Sequence, residues 1–143
     1  MILPDVNVLL YAFRRDAPHH AQSRSWLDRV IEGDARFGLS PLALAAVVRV
    51  ATNVRAFQVP SAAEDAFGYC GDLLGQPHCQ VVEPGSRHWA IFQRLCIETD
   101  TRGRRVTDAW YAALAIEWGC EWITFDRDFA RFPGLKWSVP PPS

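Results

Sequence analysis

The sequence predicts an α/β protein: a central, mainly parallel sheet flanked by helices on both faces. Short apolar runs of strand length alternate with helical stretches along the whole chain, the pattern of crossover units that bury a sheet on both sides. The two ends of the chain also share one layout. Met1 to Asp5 and Trp122 to Asp126 are each an apolar run closed by an aspartate, as expected of buried strands whose carboxyl ends face a crevice.

Taken in order, Met1-Ile2-Leu3-Pro4 is a short strand ending near Asp5, and Val6 begins the first turns of a helix. His19 to Glu32 is amphipathic, with Trp26, Leu27, Val30 and Ile31 inward, and Gly33 ends it. Arg36 to Leu39 is a second strand. Ser40-Pro41 supplies an N-cap and a first-turn proline for a helix through about Val54 that is apolar almost all round. Ser61-Ala62-Ala63-Glu64 has the form of a capping box and opens a helix to about Leu74. Gln80 to Glu83 is a strand, and Ser86 is placed to cap a helix carrying Trp89, Phe92, Leu95 and Cys96. Thr107-Asp108 opens an alanine-rich helix that Gly119 closes, and Glu121 to Thr124 is the last expected strand. Residues 1–139 form one domain on this reading, followed by a tail, Pro140-Pro141-Pro142-Ser143, that leaves the fold.

With 143 residues, one domain is the natural size. No apolar run approaches the length needed to cross a bilayer. The chain opens directly on a core-like strand with no basic segment before it, so no secretory leader is expected and the cytoplasm is the expected compartment. Cys70, Cys79, Cys96 and Cys120 show no C-x-x-C spacing and are expected as buried free thiols. His19, His20, His78 and His88 lack metal-ligand spacing and are expected in solvated or capping roles. A net charge of −1 argues against a generic polyanion binder, but the basic residues are fourteen arginines and one lysine, Lys136. Arginine suits bidentate phosphate contacts, although a compositional preference explains the bias equally well. Two clusters stand out, Arg14-Arg15 and Arg102-Gly103-Arg104-Arg105, the second just before Asp108.

Four acids hold the functional signal: Asp5, Asp108, Asp126 and Asp128. Each has an ordinary explanation, a helix cap for Asp5 and Asp108 or a turn residue for Asp126 and Asp128. Together they lie where a parallel sheet would form its crevice. Asn7 is placed either to orient Asp5 or to cap the same helix.

Asp5-Val6-Asn7, Val106-Thr107-Asp108-Ala109 with Ala112-Ala113-Leu114-Ala115, and Thr124-Phe125-Asp126-Arg127-Asp128-Phe129 resemble the three signature segments of PIN domains, in particular the VapC-type toxins of bacterial toxin–antitoxin pairs. The resemblance spans nearly the whole chain. It implies a three-layer fold, an acidic pocket that binds Mg²⁺ or Mn²⁺, and cleavage of RNA such as tRNA or ribosomal RNA, so that translation is inhibited. It also implies a homodimer and inhibition by a VapB-like antitoxin. Carried onto this sequence, Asp5, Asp108 and Asp126 are the metal-binding catalytic acids and Asp128 is a further ligand. Asn7 and Thr124 support them, and Arg102, Arg104 and Arg105 steer RNA.

One departure stands out. PIN nucleases usually carry a glutamate in the helix after the second strand, yet no acid occurs between Asp34 and Glu64. Arg49 in that helix is either a phosphate contact or a side chain snorkelling to water, the second being favoured. Two rival classes follow. A phosphotransfer domain needs a pocket lysine, which Lys136, beyond all the motifs, does not supply. A catalytically weak RNA-binding or partner-binding module of the same fold is the stronger rival.

Overall fold

The computed structural model describes residues 1–142, so Ser143, the last residue of the expected tail, lies outside them. Five parallel strands form one sheet: β1 (Ile2–Pro4), β2 (Phe37–Leu39), β3 (Cys79–Val81), β4 (Glu121–Ile123) and β5 (Trp137–Ser138). Their order is β3-β2-β1-β4-β5. The chain builds outward from β1 in one direction, then returns to build outward in the other. The order therefore reverses between β1 and β4, the place where open α/β sheets hold their ligands.

Six helices cover the sheet: α1 (Val6–Phe13), α2 (His20–Glu32), α3 (Pro41–Ala51), α4 (Ala63–Leu74), α5 (His88–Glu98) and α6 (Val106–Trp118). Two apolar clusters result. Leu9, Leu27, Phe37, Val47 and Leu73 belong to one, and Leu3, Leu95, Leu114, Trp122 and Phe129 to the other, all buried. Burial on both faces gives the three layers expected of a parallel sheet. No helix among the described residues is long and apolar enough to cross a membrane.

Pro4 in a central strand needs a reason, because it cannot donate to a ladder. Asp5 N–H donates to Ile123 on β4 at 2.8 Å, so by alternation the missing N–H of Pro4 faces β2. The β1–β2 register is recorded only at Ile2 opposite Phe37, so the proline sits where those strands have already parted. Gly38 answers a different need. A Cβ there would stand 2.7 Å from Val82 Cγ2 and 3.3 Å from Leu3 Cδ1, so only glycine admits both. Gly119, at φ 67°, closes α6 in the left-handed conformation.

Several local expectations are corrected. Helix α3 ends at Ala51, short of Val54, with Thr52 as its C-cap. Ser61 does not cap α4, whose N-cap is Ala62; its hydroxyl accepts from Arg14 Nη1 at 2.9 Å. Ser86 does not cap α5 either. Glu117 of α6 accepts there from Gly85 N–H at 2.7 Å and Arg87 N–H at 2.9 Å. Strand β5, unexpected from sequence, pairs with β4 at Trp122–Trp137 and Ile123–Ser138. Beyond it Pro140 is buried and its carbonyl accepts from Gln22 Nε2 at 2.6 Å. All four cysteines are free, with Cys79 and Cys96 only half-buried. His88, far from solvated, is 2 % exposed, with Nε2 3.0 Å from the Trp110 carbonyl.

Candidate active site

The register between the central strands assembles the first part of the site. Leu3 stands opposite Trp122 and Pro4 opposite Ile123, so the next residues, Asp5 and Thr124, also meet. Asp5 has extended backbone and caps α1, its Oδ1 accepting from Val6 N–H at 2.6 Å. Its Oδ2 accepts from Thr124 Oγ1 at 2.7 Å and Asn7 Nδ2 at 3.3 Å. Both readings of Asp5 therefore hold at once, since one carboxylate caps a helix and faces the crevice.

Thr124, fully buried, is the hub. Its hydroxyl donates to Asp5 and accepts from Asn7 Nδ2 at 3.2 Å and from Asp126 N–H at 3.0 Å. One donor and two acceptor sites are all a hydroxyl has, so its capacity is filled. Asn7 completes the clip by accepting from Phe125 N–H through Oδ1 at 3.3 Å. The start of α1 is thereby fixed to the end of β4.

A cavity of about 490 Å³ opens at this corner, lined by Asp5 and Asn7 from the β1–α1 junction, Asp108 from α6 and Asp126 after β4. The three carboxylates act on one another. Burial pushes the Asp5 carboxyl up to about 7 against the hydrogen bonds from Thr124 and Val6, and the charges of Asp108 and Asp126 push it the same way. Asp108, in the first turn of α6, is also raised, by burial and then by Asp126, with Arg131 and Arg105 opposing. Arg131 Nη2 lies 4.0 Å from Asp108 Oδ2 and its guanidinium covers the Phe132 ring.

The other expected residues are placed differently. Asp128 does not line this cavity; its carboxylate accepts from Arg105 Nη1 at 3.0 Å, while its backbone N–H donates to Asp126 Oδ1 at 2.9 Å. Arg102 pairs with Asp100 at 3.0 Å, with both side chains exposed. Arg104 and Arg105 line a smaller adjoining recess with Asp108 and Asp126, and Arg104 also reaches the main cavity. Arg14 is occupied elsewhere, held by Asp16, Ser61 and the Val59 carbonyl and stacked over Phe57. Trp110 packs edge-on against His88 and Tyr111 and is absent from the cavity wall.

The wall also includes residues to which the sequence gave no site role, among them Tyr11, Ala46, Thr107 and Tyr111. The i, i+4 spacing of Thr107 and Tyr111 puts them on one helix face, a signal the sequence did offer. Helix α3 contributes Ala46 and Arg49 to the wall, and neither is an acid. Among the described residues, no three His, Cys, Asp or Glu side chains are gathered closely enough to coordinate one ion in common. The acids Asp5, Asp108 and Asp126 line one cavity.

The PIN domain family matches residues 2–135. The chain is similar to Ribonuclease VapC25 of Mycobacterium tuberculosis, 41% identical over 141 residues that cover 99% of each chain. In fold it is similar to VapBC2 from Rickettsia felis, solved bound to a promoter DNA fragment, with a TM-score of 0.72 at 17% identity over 97% of this chain and 98% of that one. It is similar again to VapC20 of Mycobacterium tuberculosis, described as a sarcin–ricin loop cleaving toxin, with a TM-score of 0.68 at 14% identity over 95% of this chain and 99% of that one. A family match over nearly the full length, and a relative this similar across its whole length, establish that the chain belongs to the PIN domain family.

Proposed function

We propose that this chain is a metal-dependent endoribonuclease, the toxin of a toxin–antitoxin pair, which hydrolyses phosphodiester bonds in RNA such as tRNA or ribosomal RNA and so inhibits translation in the cytoplasm. The observation that carries the reading is the convergence of Asp5, Asp108 and Asp126 on one cavity at the point where the strand order reverses. The names of relatives such as Ribonuclease VapC25 point the same way.

The donor set suits a hard divalent cation. It offers carboxylate oxygens with no thiol or imidazole among the lining residues. The carboxyls of Asp5 and Asp108 are raised by burial and by neighbouring acids, a repulsion that a bound cation would relieve. Mg²⁺ keeps several waters and needs only one or two protein carboxylates, which fits acids that surround a cavity without enclosing an ion. Asp5, Asp108 and Asp126 are the residues that would hold Mg²⁺ or Mn²⁺; the ion, when bound, acidifies a water and neutralises charge developing on the phosphate.

The chain's own residues do the rest. Thr124 and Asn7 hold Asp5 in one orientation, and Thr124 also fixes the backbone of Asp126. The Asp128 N–H orients the Asp126 carboxylate. We take Asp128 as this support and as the partner of Arg105, not as a ligand. Arg104 and Arg105 flank the acids and attract the RNA backbone. The partner expected by analogy with the VapBC assemblies of similar fold is a VapB-like antitoxin. An apolar groove between α3 and α4, lined by Leu44, Val48, Phe67 and Leu74, is consistent with a homodimer or with antitoxin contact.

The specific observation favouring a second reading, a binding module of the same fold with little activity, is that α3 brings Ala46 and Arg49 to the wall where a carboxylate was expected. The test is cleavage of end-labelled tRNA and ribosomal RNA by antitoxin-free protein with Mg²⁺, with Mn²⁺ and with EDTA, beside an Asp5→Asn control. Cuts that require both metal and Asp5 support the nuclease. Absence of cuts on every RNA, from protein shown to be folded, transfers the assignment to the binding module.

A further inference from the structure

Most arginines that make contacts are committed to neighbours within the fold, as Arg14, Arg102, Arg105 and Arg131 show. Arg49 and Arg104 are different. Among the described residues neither side chain has a hydrogen-bond or ion-pair partner, and both line the acidic cavity. They come from different parts of the fold. Arg49 is on α3, and Arg104 is in the 3₁₀ turn (Gly103–Arg105) that leads into α6.

The setting of Arg49 shows what it is free to do. Ala46 and Arg49 are three residues apart and share one face of α3, and Ala46 has no side chain long enough to reach the guanidinium. The charge of Arg49 acts on the Tyr111 hydroxyl, opposing the effect of burial there. Its guanidinium lines the cavity without a hydrogen bond or ion pair to Asp5, Asp108 or Asp126, so it is free to meet a ligand there.

An RNA strand entering this cavity carries one negative charge per phosphate into a wall of carboxylates. A cation between the acids offsets charge at the centre but not at the flanking phosphates. Guanidinium groups are suited to those positions because they stay charged and bind phosphate oxygens bidentately. We propose that Arg49 and Arg104 bracket the acidic centre, each holding a backbone phosphate on one side of the bond to be cut, so that a single RNA strand runs from the α3 wall to the turn before α6. This rests on the ribonuclease reading above. It also changes the meaning of the missing α3 acid, since in this chain that helix supplies a substrate-binding cation.

The test is binding of a fluorescein-labelled single-stranded oligouridylate, followed by anisotropy across a NaCl series at fixed Mg²⁺, in an Asp5→Asn background that prevents cutting. Arg49→Gln and Arg104→Gln should each weaken binding and each flatten the slope of log K against log salt by about 0.7, the value for one phosphate contact on a single strand. Arg49→Lys should recover most of that slope while binding less tightly than arginine. Arg36→Gln is the control, because Arg36 lines a separate cavity with Met1, Gly119 and Lys136; its slope should not move.

An unchanged slope in Arg49→Gln, with a native circular-dichroism melt, overturns the bracket and leaves Arg49 a snorkelling side chain. A slope that falls equally in Arg36→Gln overturns it too, because binding is then spread over the surface. The measurement needs no cleavage, so the two readings fail separately. A wild type that never cuts but loses slope at Arg49 defeats the nuclease alone, and one that cuts with an unaltered slope at Arg49 defeats the bracket alone.

Discussion

At the Asp5–Thr124 corner each polar side-chain atom of Asp5, Asn7 and Thr124 has a partner, while on the rim Arg49 and Arg104 face the same cavity exposed and unpaired, and Arg105, in the adjoining recess, pairs only with the exposed Asp128. The corner is buried and shaped by strand register. The rim sits on a helix surface and a turn. A rigid set of carboxylates beside a set of adaptable cations is what a site needs if the first holds a metal and the second receives a flexible polymer. The lesson is that burial and hydrogen-bond saturation separate the residues that position chemistry from those that receive substrate.

The corner is tested most severely by Asp5→Asn. On the nuclease reading proposed above, this substitution takes away a carboxylate that would hold the cation, and with it several kcal/mol of transition-state stabilisation, so kcat/KM should fall by about 10³-fold or more. Single-turnover cleavage of end-labelled RNA measures it. Retention of a tenth of the activity would place the essential carboxylates elsewhere. On the rim, no single substitution should approach this loss.

Next in size is the pH response of the metal-free protein. An Asp carboxyl has an ordinary value of 3.8, and burial raises that of Asp5 to about 7 in the folded state. Unfolding then lets Asp5 ionise more readily, so its charge destabilises the fold. The penalty is absent below about pH 3.8, grows as pH rises and is complete above about pH 7, where it reaches a few kcal/mol. In EDTA, wild-type Tm should therefore decline from pH 5 to pH 8 more steeply than that of Asp5→Asn, and added Mg²⁺ should restore it at pH 8. Parallel Tm profiles for the two proteins would show that Asp5 is not raised.

Thr124→Val probes the hub directly. The variant keeps the shape but strands the N–H of Asp126 and one Asn7 donor hydrogen, a loss of about 1–3 kcal/mol in stability. Thr124→Ser, which keeps the hydroxyl, should recover most of it. Denaturant midpoints compare the two, and equal losses would mean that the methyl group, not the hydrogen bonds, matters at this position.

This division also explains what could be read from the sequence. The strand-to-helix junction at Asp5, helix α6 with Asp108 and its closing Gly119, and strand β4 are local patterns, legible because each depends on residues within a turn or two. Ser61 and Ser86 misled because their sites are governed by Arg14 and Glu117, each about thirty or more residues away. Strand β5 has two residues, too few for any periodicity. Arg49 was the hardest to read. Helix α3 looks apolar almost all round in sequence, and which of its residues lines the acidic cavity depends on how it docks beside α1.

The smallest predicted effect decides between two accounts of Asp128. If Asp128 is a metal ligand, Asp128→Asn should lower activity much as the corner substitutions do. In the geometry found here its carboxylate holds Arg105 at 3.0 Å, both groups well exposed, outside the main cavity. Neutralising it releases a guanidinium next to Asp108 and Asp126 and removes one negative charge from the path of the RNA. The Asp126 carboxylate keeps its hydrogen bond, because that donor is the backbone N–H of residue 128. Asp128→Asn should therefore raise kcat/KM modestly, through KM, at low salt, and the gain should fade as ionic strength screens the rim. Arg105→Gln should do the reverse, lowering kcat/KM by less than about tenfold with the same fading. Opposite signs for two residues joined by one ion pair can arise only if the pair acts through charge presented to the substrate, and a loss in both would return Asp128 to the metal.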